Sequence, residues 1–425
     1  MKIYCSGIGG IGLSAYAAQM RARGHEVSGS DRSDSATVED LRSQGVKVIL
    51  IQDGSGVGDD VDLLVYSEAI PVDAPERAKA KKLGIRQISY FAALGELTKG
   101  TTLIAVCGTH GKSSTTAMTA KVLIEAGLDP NIVVGTKLKE LSGRNWRRGS
   151  GNLWVVEACE YRRSFLYLSP SIILVTNADG DHFDAFKDQS DYEFAFQEFF
   201  SKLPSGGVII AHGGDAQVQN IIKHAEKEGI DADREPLATL ATPGQHMRSN
   251  AQLVLALSRH LGLSEDDSRR SLSTFSGTWR RMEMKGVTKD GVTVIDDYAH
   301  HPTEIRATLS AMREAYPGHR LICAFQPHTH DRTLKLWKDF AQSFKDADVV
   351  LVTDIYDARP DRDAAKANVN ELAAAIGKSC RCESKASGSV KETETLLRSD
   401  ILKHDDILIT MGAGTITDLA TAMLA

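Results

Sequence analysis

The stretch Gly108-Thr109-His110-Gly111-Lys112-Ser113-Ser114-Thr115-Thr116 decides the fold. It follows the apolar run Leu103–Cys107 and precedes Thr116–Ala126, which reads as a helix. A strand, a glycine turn and a helix in that order bring backbone N–H groups together at one point. There they can cradle the β- and γ-phosphates of a nucleoside triphosphate. Lys112 can neutralise charge that develops as a γ-phosphoryl group transfers, and the Ser113 hydroxyl can ligate Mg2+. Gly108, Thr109, His110, Gly111, Lys112, Ser113 and Ser114 are the candidate triphosphate-binding residues. The common form of this loop places a glycine five residues before Gly111. Val106 stands there, so the loop is a shortened form.

Working outward, short apolar runs alternate with helix-like stretches along the whole chain. Lys2–Ser6, Leu63–Tyr66, Leu153–Glu157, Ile172–Thr176, Val292–Asp296, Arg320–Phe325 and Val349–Thr353 are examples. This alternation predicts an α/β fold of mainly parallel sheets covered by helices. A strand running into a glycine turn recurs at Gly7-Ile8-Gly9-Gly10-Ile11-Gly12 and at Gly412-Ala413-Gly414. Three such turns suggest three α/β units: a Rossmann-like domain over 1–98, a central P-loop domain over 99–277 and a Rossmann-like domain over 278–425.

Composition narrows the class. The chain has 425 residues, 42% hydrophobic and 25% charged, with a formal net charge of −6. That balance exerts no overall pull towards nucleic acid or an anionic membrane. No apolar run approaches the ~20 residues of a membrane span. The N-terminus enters a strand without the order of a signal peptide, so a cytoplasmic location is expected. The six cysteines lie mostly in apolar runs or at unhelpful spacings and read as inert thiols.

Gly7-x-Gly9-x-x-Gly12, with Gly10 inside it, opens a helix expected over Leu13–Arg23. The next strand, Glu26–Ser30, ends at Asp31, a residue that could bind a ribose hydroxyl. Taken alone, this loop fits NAD, another nucleotide such as a UDP-sugar, or a turn with no ligand.

The shortened loop resembles that of the Mur ligases and the related folylpolyglutamate synthetases, and the resemblance runs along essentially the whole chain. Gly7–Gly12 with Gly29-Ser30-Asp31 looks like the UDP-binding start of the alanine-adding branch. Glu157-Ala158-Cys159-Glu160 with Ser164-Phe165-Leu166 resembles the central acidic motif. Thr176-Asn177-Ala178-Asp179-Gly180-Asp181-His182-Phe183-Asp184 resembles the metal segment. Asp296-Asp297-Tyr298-Ala299-His300-His301-Pro302-Thr303-Glu304 and Phe325-Gln326-Pro327-His328 with Arg332-Thr333 resemble the C-terminal signatures.

The resemblance implies an ATP-dependent, amide-forming ligase of cell-wall (peptidoglycan) precursor synthesis. UDP-N-acetylmuramate and a small amino acid, L-alanine first, are its expected partners; the reaction passes through an acyl phosphate. Mg2+ is the expected cofactor, with Mn2+ as a substitute. Glu157 and His182 become metal ligands alongside Ser113; from its own setting, His182 reads as a polar-turn residue. His246 and Asn250 are expected near the adenine, Arg281 near the phosphates and Asp297 at the ribose. His300 is the candidate proton acceptor for the incoming amine, with Tyr298, His328 and Arg332 around the amino acid. Lys112, His300 and Arg332 form the expected catalytic set. Closure of the third domain is expected to exclude water.

Several positions depart from the family pattern. Met247 replaces an asparagine, Met282 a phenylalanine, Cys159 an aspartate and Thr329 an arginine, while Tyr161-Arg162-Arg163 replaces more acidic residues. Arg162 and Arg163 could face the sugar's negative groups or be solvated, and Arg280 reads as a solvent-facing neighbour of Arg281. The helix expected after the metal segment, Asp191–Phe200, has no lysine, so the carbamylated lysine of some Mur ligases is not expected. Thr329 leaves the acceptor open, and a ligase attaching a whole peptide is the nearest rival. An NAD-linked oxidoreductase and a non-catalytic nucleotide-binding regulator are rivals of other classes. Oligomeric state is not legible.

Overall fold

Each of the glycine turns sits at the carboxyl end of a buried parallel strand. The computed structural model describes residues 1–180, 185–357 and 366–425. Its strands form three sheets. The first contains β1 (Lys2–Ser6), β2 (Glu26–Ser30), β3 (Lys47–Ile49), β4 (Leu63–Tyr66) and β5 (Arg86–Ser89), in the order β3-β2-β1-β4-β5. All its pairings are parallel. Cys5 lies opposite Gly29, and a Cβ at Gly29 would stand 2.2 Å from the Cys5 carbonyl oxygen, so only glycine permits that approach.

The second sheet contains β6 (Thr102–Cys107), β7 (Asn131–Leu138), β8 (Arg144–Arg147), β9 (Leu153–Glu157), β10 (Ile172–Val175), β11 (Val208–Ala211) and β12 (Gly229–Asp231). Their order is β12-β11-β10-β6-β9-β7-β8, parallel except for the β7–β8 edge. β6 lies between β10 and β9, where the strand order reverses, and every residue from Leu103 to Cys107 is fully buried. Open α/β sheets bind ligands at such a reversal, outside the carboxyl ends of the strands. The third sheet contains β13 (Glu283–Val287), β14 (Thr293–Asp297), β15 (Leu321–Phe325), β16 (Val349–Thr353), β17 (Glu383–Gly388) and β18 (Ile407–Met411). Its order is β13-β14-β18-β15-β16-β17, with only β13 antiparallel.

The chain divides into two compact units. Met1–Ala238 with Asn250–Ser273 forms one, and Thr239–Ser249 with Thr274–Ala425 the other. The first unit contains the first two sheets, which share one continuous apolar core. Gln19, on the helix Ile11–Ala22, is fully buried and donates to the carbonyls of Ile132 and Arg147 (3.2 and 2.7 Å), tying that helix to β7 and β8.

Two helices begin earlier than their apolar pattern predicts, at Ile11 rather than Leu13 (two residues) and at Lys112 rather than Thr116 (four residues, about a turn). The loop glycines Gly10 and Gly111 are themselves the N-caps, so loop residues occupy the first turns: Ile11 and Gly12 in one helix, the polar Lys112, Ser113 and Ser114 in the other. Among the described residues no helix is long and apolar enough to cross a membrane.

Candidate active site

The loop after β6 is shaped by two glycines. Gly108 has φ +133°, and a Cβ there would fall 2.1 Å from Thr176 Oγ1. Gly111 has φ +82°, with Asn250 Oδ1 2.8 Å from its absent Cβ. The end of β10 staples the loop. Asn177 Oδ1 accepts from the N–H groups of Thr109 (3.1 Å) and His110 (2.9 Å), and its amide donates to the His110 carbonyl at 3.0 Å. Thr109 is held again by its hydroxyl, 2.8 Å from the Tyr192 hydroxyl.

Lys112 turns back over this loop. Its ammonium donates to the carbonyls of Gly108 (2.5 Å) and Thr109 (2.9 Å) and lies 2.9 Å from the carboxylate of the fully buried Glu160. Burial works to lower the lysine pKa. The negative charge of Glu160, with Glu157 further off, outweighs it, and the net shift is upward. Lys112 is therefore a permanent cation in the loop.

Beside it, the Ser113 hydroxyl donates to Glu157 Oε1 at 3.0 Å, and Glu157 Oε2 accepts from the Gly135 N–H at 2.7 Å. A Cβ on Gly135 would stand 2.8 Å from that carboxylate. One hydroxyl and one carboxylate at the carboxyl end of adjoining strands suit a hard divalent cation that keeps water and phosphate oxygens in its other positions. Among the described residues no group of three or more His, Cys, Asp or Glu could hold a metal. The expected ligand His182 lies outside the described residues.

The segment after Glu157 does not behave as its charges suggest. Arg162 and Arg163 both adopt left-handed backbone, at φ +50° and +57°. Arg163 pairs with Asp191 Oδ1 at 2.7 Å and with Glu198, both on the helix Gln189–Ser201. It braces that helix. Phe165 stacks on Phe199 (4.5 Å between centroids, 17°), which anchors the turn carrying Glu160.

At the first glycine loop, Gly7 has φ +78° and Gly10 caps the helix Ile11–Ala22. A Cβ on Gly12 would meet the Tyr90 ring at 2.6 Å, so Gly12 packs tightly against that ring, whereas a Cβ on Gly10 would make only an ordinary contact with the Gly7 carbonyl oxygen at 3.5 Å. Asp31 Oδ2 accepts from the Gly9 N–H at 2.8 Å. The acid at the end of β2 thus braces the loop itself.

In the second unit, β14 ends in Asp296-Asp297. The expectation of a solvent-facing Arg280 fails. Its guanidinium is buried and donates to Asp296 Oδ2 (3.0 Å) and to the Gly412 (2.5 Å) and Gly414 (3.4 Å) carbonyls. A buried guanidinium needs such acceptors, and the turn after β18 supplies two. Asp297 accepts from the N–H groups of Met282 and Ala299, both at 2.7 Å. Burial pushes its carboxyl up to about 6 against the opposing pull of Arg281 and those two N–H groups. Arg280 and Met282 are left-handed, at φ +56° and +48°. Between them Arg281 lies over the Tyr298 ring (5.0 Å) and 3.6 Å from Glu304 Oε1. Burial, reinforced by Arg281 and Arg248, pushes His246 down to about 4, so it is neutral at pH 7.

The expected acceptor residues come together. Tyr298, His300 and His328 form a ring series with centroids 5.3 and 5.7 Å apart. Arg332 donates to His328 Nδ1 at 3.0 Å. Arginine has no acceptor, so His328 carries its proton on Nε2. His301 takes another role: it caps the helix Pro302–Ala315, accepting from the Thr303 N–H at 3.3 Å.

Family models match the chain at residues 2–102 (Mur ligase family, catalytic domain), 106–236 (Mur ligase middle domain) and 280–414 (Mur ligase, glutamate ligase domain). The chain belongs to the Mur ligase family. It is 37% identical to the UDP-N-acetylmuramate–L-alanine ligase of Clostridium kluyveri, over 98% of this chain and 96% of that one. The same enzyme of Clostridium botulinum is 38% identical over 84% and 83%. Among solved structures, the UDP-N-acetylmuramate–alanine ligase of Thermotoga maritima matches with TM-score 0.83 and 26% identity, covering 100% of this chain and 98% of that one. A murein peptide ligase of Psychrobacter arcticus shares the fold at TM-score 0.74 and 23% identity, covering 100% and 98%.

In this Mur ligase, four residues near these sites were given no role by sequence reasoning. Asn177 was legible only as part of a motif. Gly135 had no signal. Glu304 was hidden because histidine is not an ordinary N-cap, so His301-Pro302-Thr303-Glu304 does not read as a capping box. Tyr356 follows β16 and stacks on His328 (6.0 Å, 29°), a contact that only strand order creates.

Proposed function

We propose that this chain joins L-alanine to UDP-N-acetylmuramate at the expense of ATP, in the synthesis of peptidoglycan precursor. The likeness to alanine-adding relatives over 98% of the chain carries this reading. The three-domain division at 1–98, 99–277 and 278–425 belongs to it, with the UDP-sugar at Gly7, Gly9, Gly10 and Gly12, braced by Asp31.

A lactyl carboxylate oxygen attacks the γ-phosphorus of ATP, the bond to the β-phosphate oxygen breaks, and ADP leaves. The alanine amine then attacks the acyl carbon, inorganic phosphate departs, and the amine's protons pass to nearby bases. Two anions meet in the first step, so fixed positive charge is the main requirement. Lys112 supplies it, with the N–H groups of the loop Gly108–Ser114 around it. Mg2+, held by Ser113 and Glu157, would further shield the repulsion between phosphate and carboxylate. Arg281, His246 and Asp297 serve the nucleotide, and Asn250 lies against Gly111.

For the second step, Arg332 has the forked geometry to bind the amino acid's carboxylate, with His328 beside it. His300 takes a proton from the ammonium. Phosphate release from ATP, measured with UDP-N-acetylmuramate and each acceptor in turn, tests the proposal. Alanine-dependent release with matching amide product is expected. Product with a tripeptide and none with alanine would move the chain to the peptide-attaching branch.

A further inference from the structure

The capping carboxylate of Glu304 touches more than the helix it caps. Its Oε2 accepts from the N–H groups of His300 (3.1 Å) and His301 (3.3 Å) and stands 3.4 Å from His300 Nδ1. Its Oε1 lies 3.6 Å from the Arg281 guanidinium. The side chain is only 12% exposed, so water screens these contacts weakly. His300 Nδ1 has a second neighbour, the Tyr298 carbonyl oxygen at 3.1 Å.

These two neighbours of Nδ1 are acceptors. A carbonyl cannot donate, and an ionised carboxylate cannot either. The neutral imidazole satisfies them only with its proton on Nδ1, which leaves the lone pair on Nε2. A base must offer a lone pair to the proton it takes, so the tautomer decides whether His300 can act.

We propose that Glu304, with the Tyr298 carbonyl, is a positioning residue that holds His300 in its Nδ1–H tautomer and links it to Arg281. The idea rests on the ligase reading for its kinetic consequence, though not for its structural content. Glu304 touches no reacting atom; it acts through His300. Among the described residues, the groups facing His300 include Tyr298, Glu304 and His328, with Arg281 behind Glu304 and Arg332 behind His328. Removing the Glu304 charge takes away the anion that stabilises an imidazolium there, so His300 should lose its proton at lower pH.

The test uses Glu304→Gln in the full chain. Glutamine at this helix position still completes a capping box, so the fold is spared while the charge is lost. Histidine 15N NMR, with the His300 signals assigned by their loss in His300→Gln, reads the tautomer without any substrate. The wild-type protein should show the Nδ1–H form, and His300 in Glu304→Gln should titrate about one pH unit lower. Ligation by Glu304→Gln should fall in kcat by roughly tenfold or more, up to the ~10²–10⁴ that a positioned acid–base group contributes. The acid limb of its pH profile should move the same way as the NMR titration. An Nε2–H form in the wild type, or an unmoved titration in Glu304→Gln, overturns the proposal. A wild-type protein that makes no alanyl product would overturn the ligase reading instead, and the NMR result would stand apart from it.

Discussion

The Ser113 hydroxyl stands 3.0 Å from the Glu157 carboxylate, joining the first turn of one helix to the end of the strand beside it. Both groups offer oxygen, and the charge between them is negative. Replacing Glu157 with glutamine leaves the shape and removes that charge. The Mg2+ concentration for half-maximal ligation should rise by at least the roughly tenfold that even an outer partner of a metal costs. A magnesium titration of ATP hydrolysis measures it. An unchanged requirement would move the cation elsewhere.

Lys112 and Glu160 form a pair in which the acid is fully buried and the base 13% exposed. Lys112→Met removes the loop's cation and strands a carboxylate. It should abolish ligation and destabilise the first unit by about 3–5 kcal/mol, the usual cost of breaking a buried pair. Adding Glu160→Gln should recover much of the thermal stability without recovering ligation. If the double variant is no more stable than the single one, the pair is not the source of the loss.

The first glycine loop offers a contrast between neighbours. Gly12→Ala drives a methyl into the Tyr90 ring and should cost about 1–3 kcal/mol of stability. Gly10→Ala meets only the Gly7 carbonyl oxygen at 3.5 Å and should fold normally. Its effect should appear as weaker binding of the UDP-sugar, read by calorimetry. Equal destabilisation by the two substitutions would contradict the packing.

Asp297 sets a pH dependence. Its folded pKa of about 6 lies above the ordinary value of 3.8, so the folded chain keeps that proton longer than the unfolded chain. The stabilisation is complete below the ordinary value and is lost as pH rises through about 6. On this group alone, stability falls between those pH values, by up to about 3 kcal/mol. Asp297→Asn cannot ionise. Melting temperatures of the variant should lack this component of decline over that window.

Arg332 is the forked cation of the proposed amino-acid site, 3.0 Å from His328 Nδ1. Arg332→Lys keeps the charge and loses the fork. The KM for alanine should rise by about tenfold or more, while the KM for ATP stays close to that of the unaltered chain. A parallel rise in both would mean that Arg332 supports the fold rather than the amino acid.

Residues close in sequence were read well where backbone chemistry dominates. Gly108 and Gly111 could be picked out because a turn between a buried strand and a helix leaves room for little else. Arg280 was misread because its acceptors, Asp296 and the Gly412 and Gly414 carbonyls, come from other strands. Arg163 reads from sequence as either a sugar contact or a solvated charge, and neither reading contains its carboxylate partners on the helix Gln189–Ser201.

The order of strands, glycine turns and helices, and with it the α/β class and the strand–turn–helix loop at Gly108–Ser114, was written in local pattern, because strand and helix periodicities act over a few residues. Which charges meet was decided only when parallel strands were set side by side. Glu160 reached Lys112, Glu304 reached Arg281 and Tyr356 reached His328 through strand order and crossover, and no spacing along the chain encodes those distances.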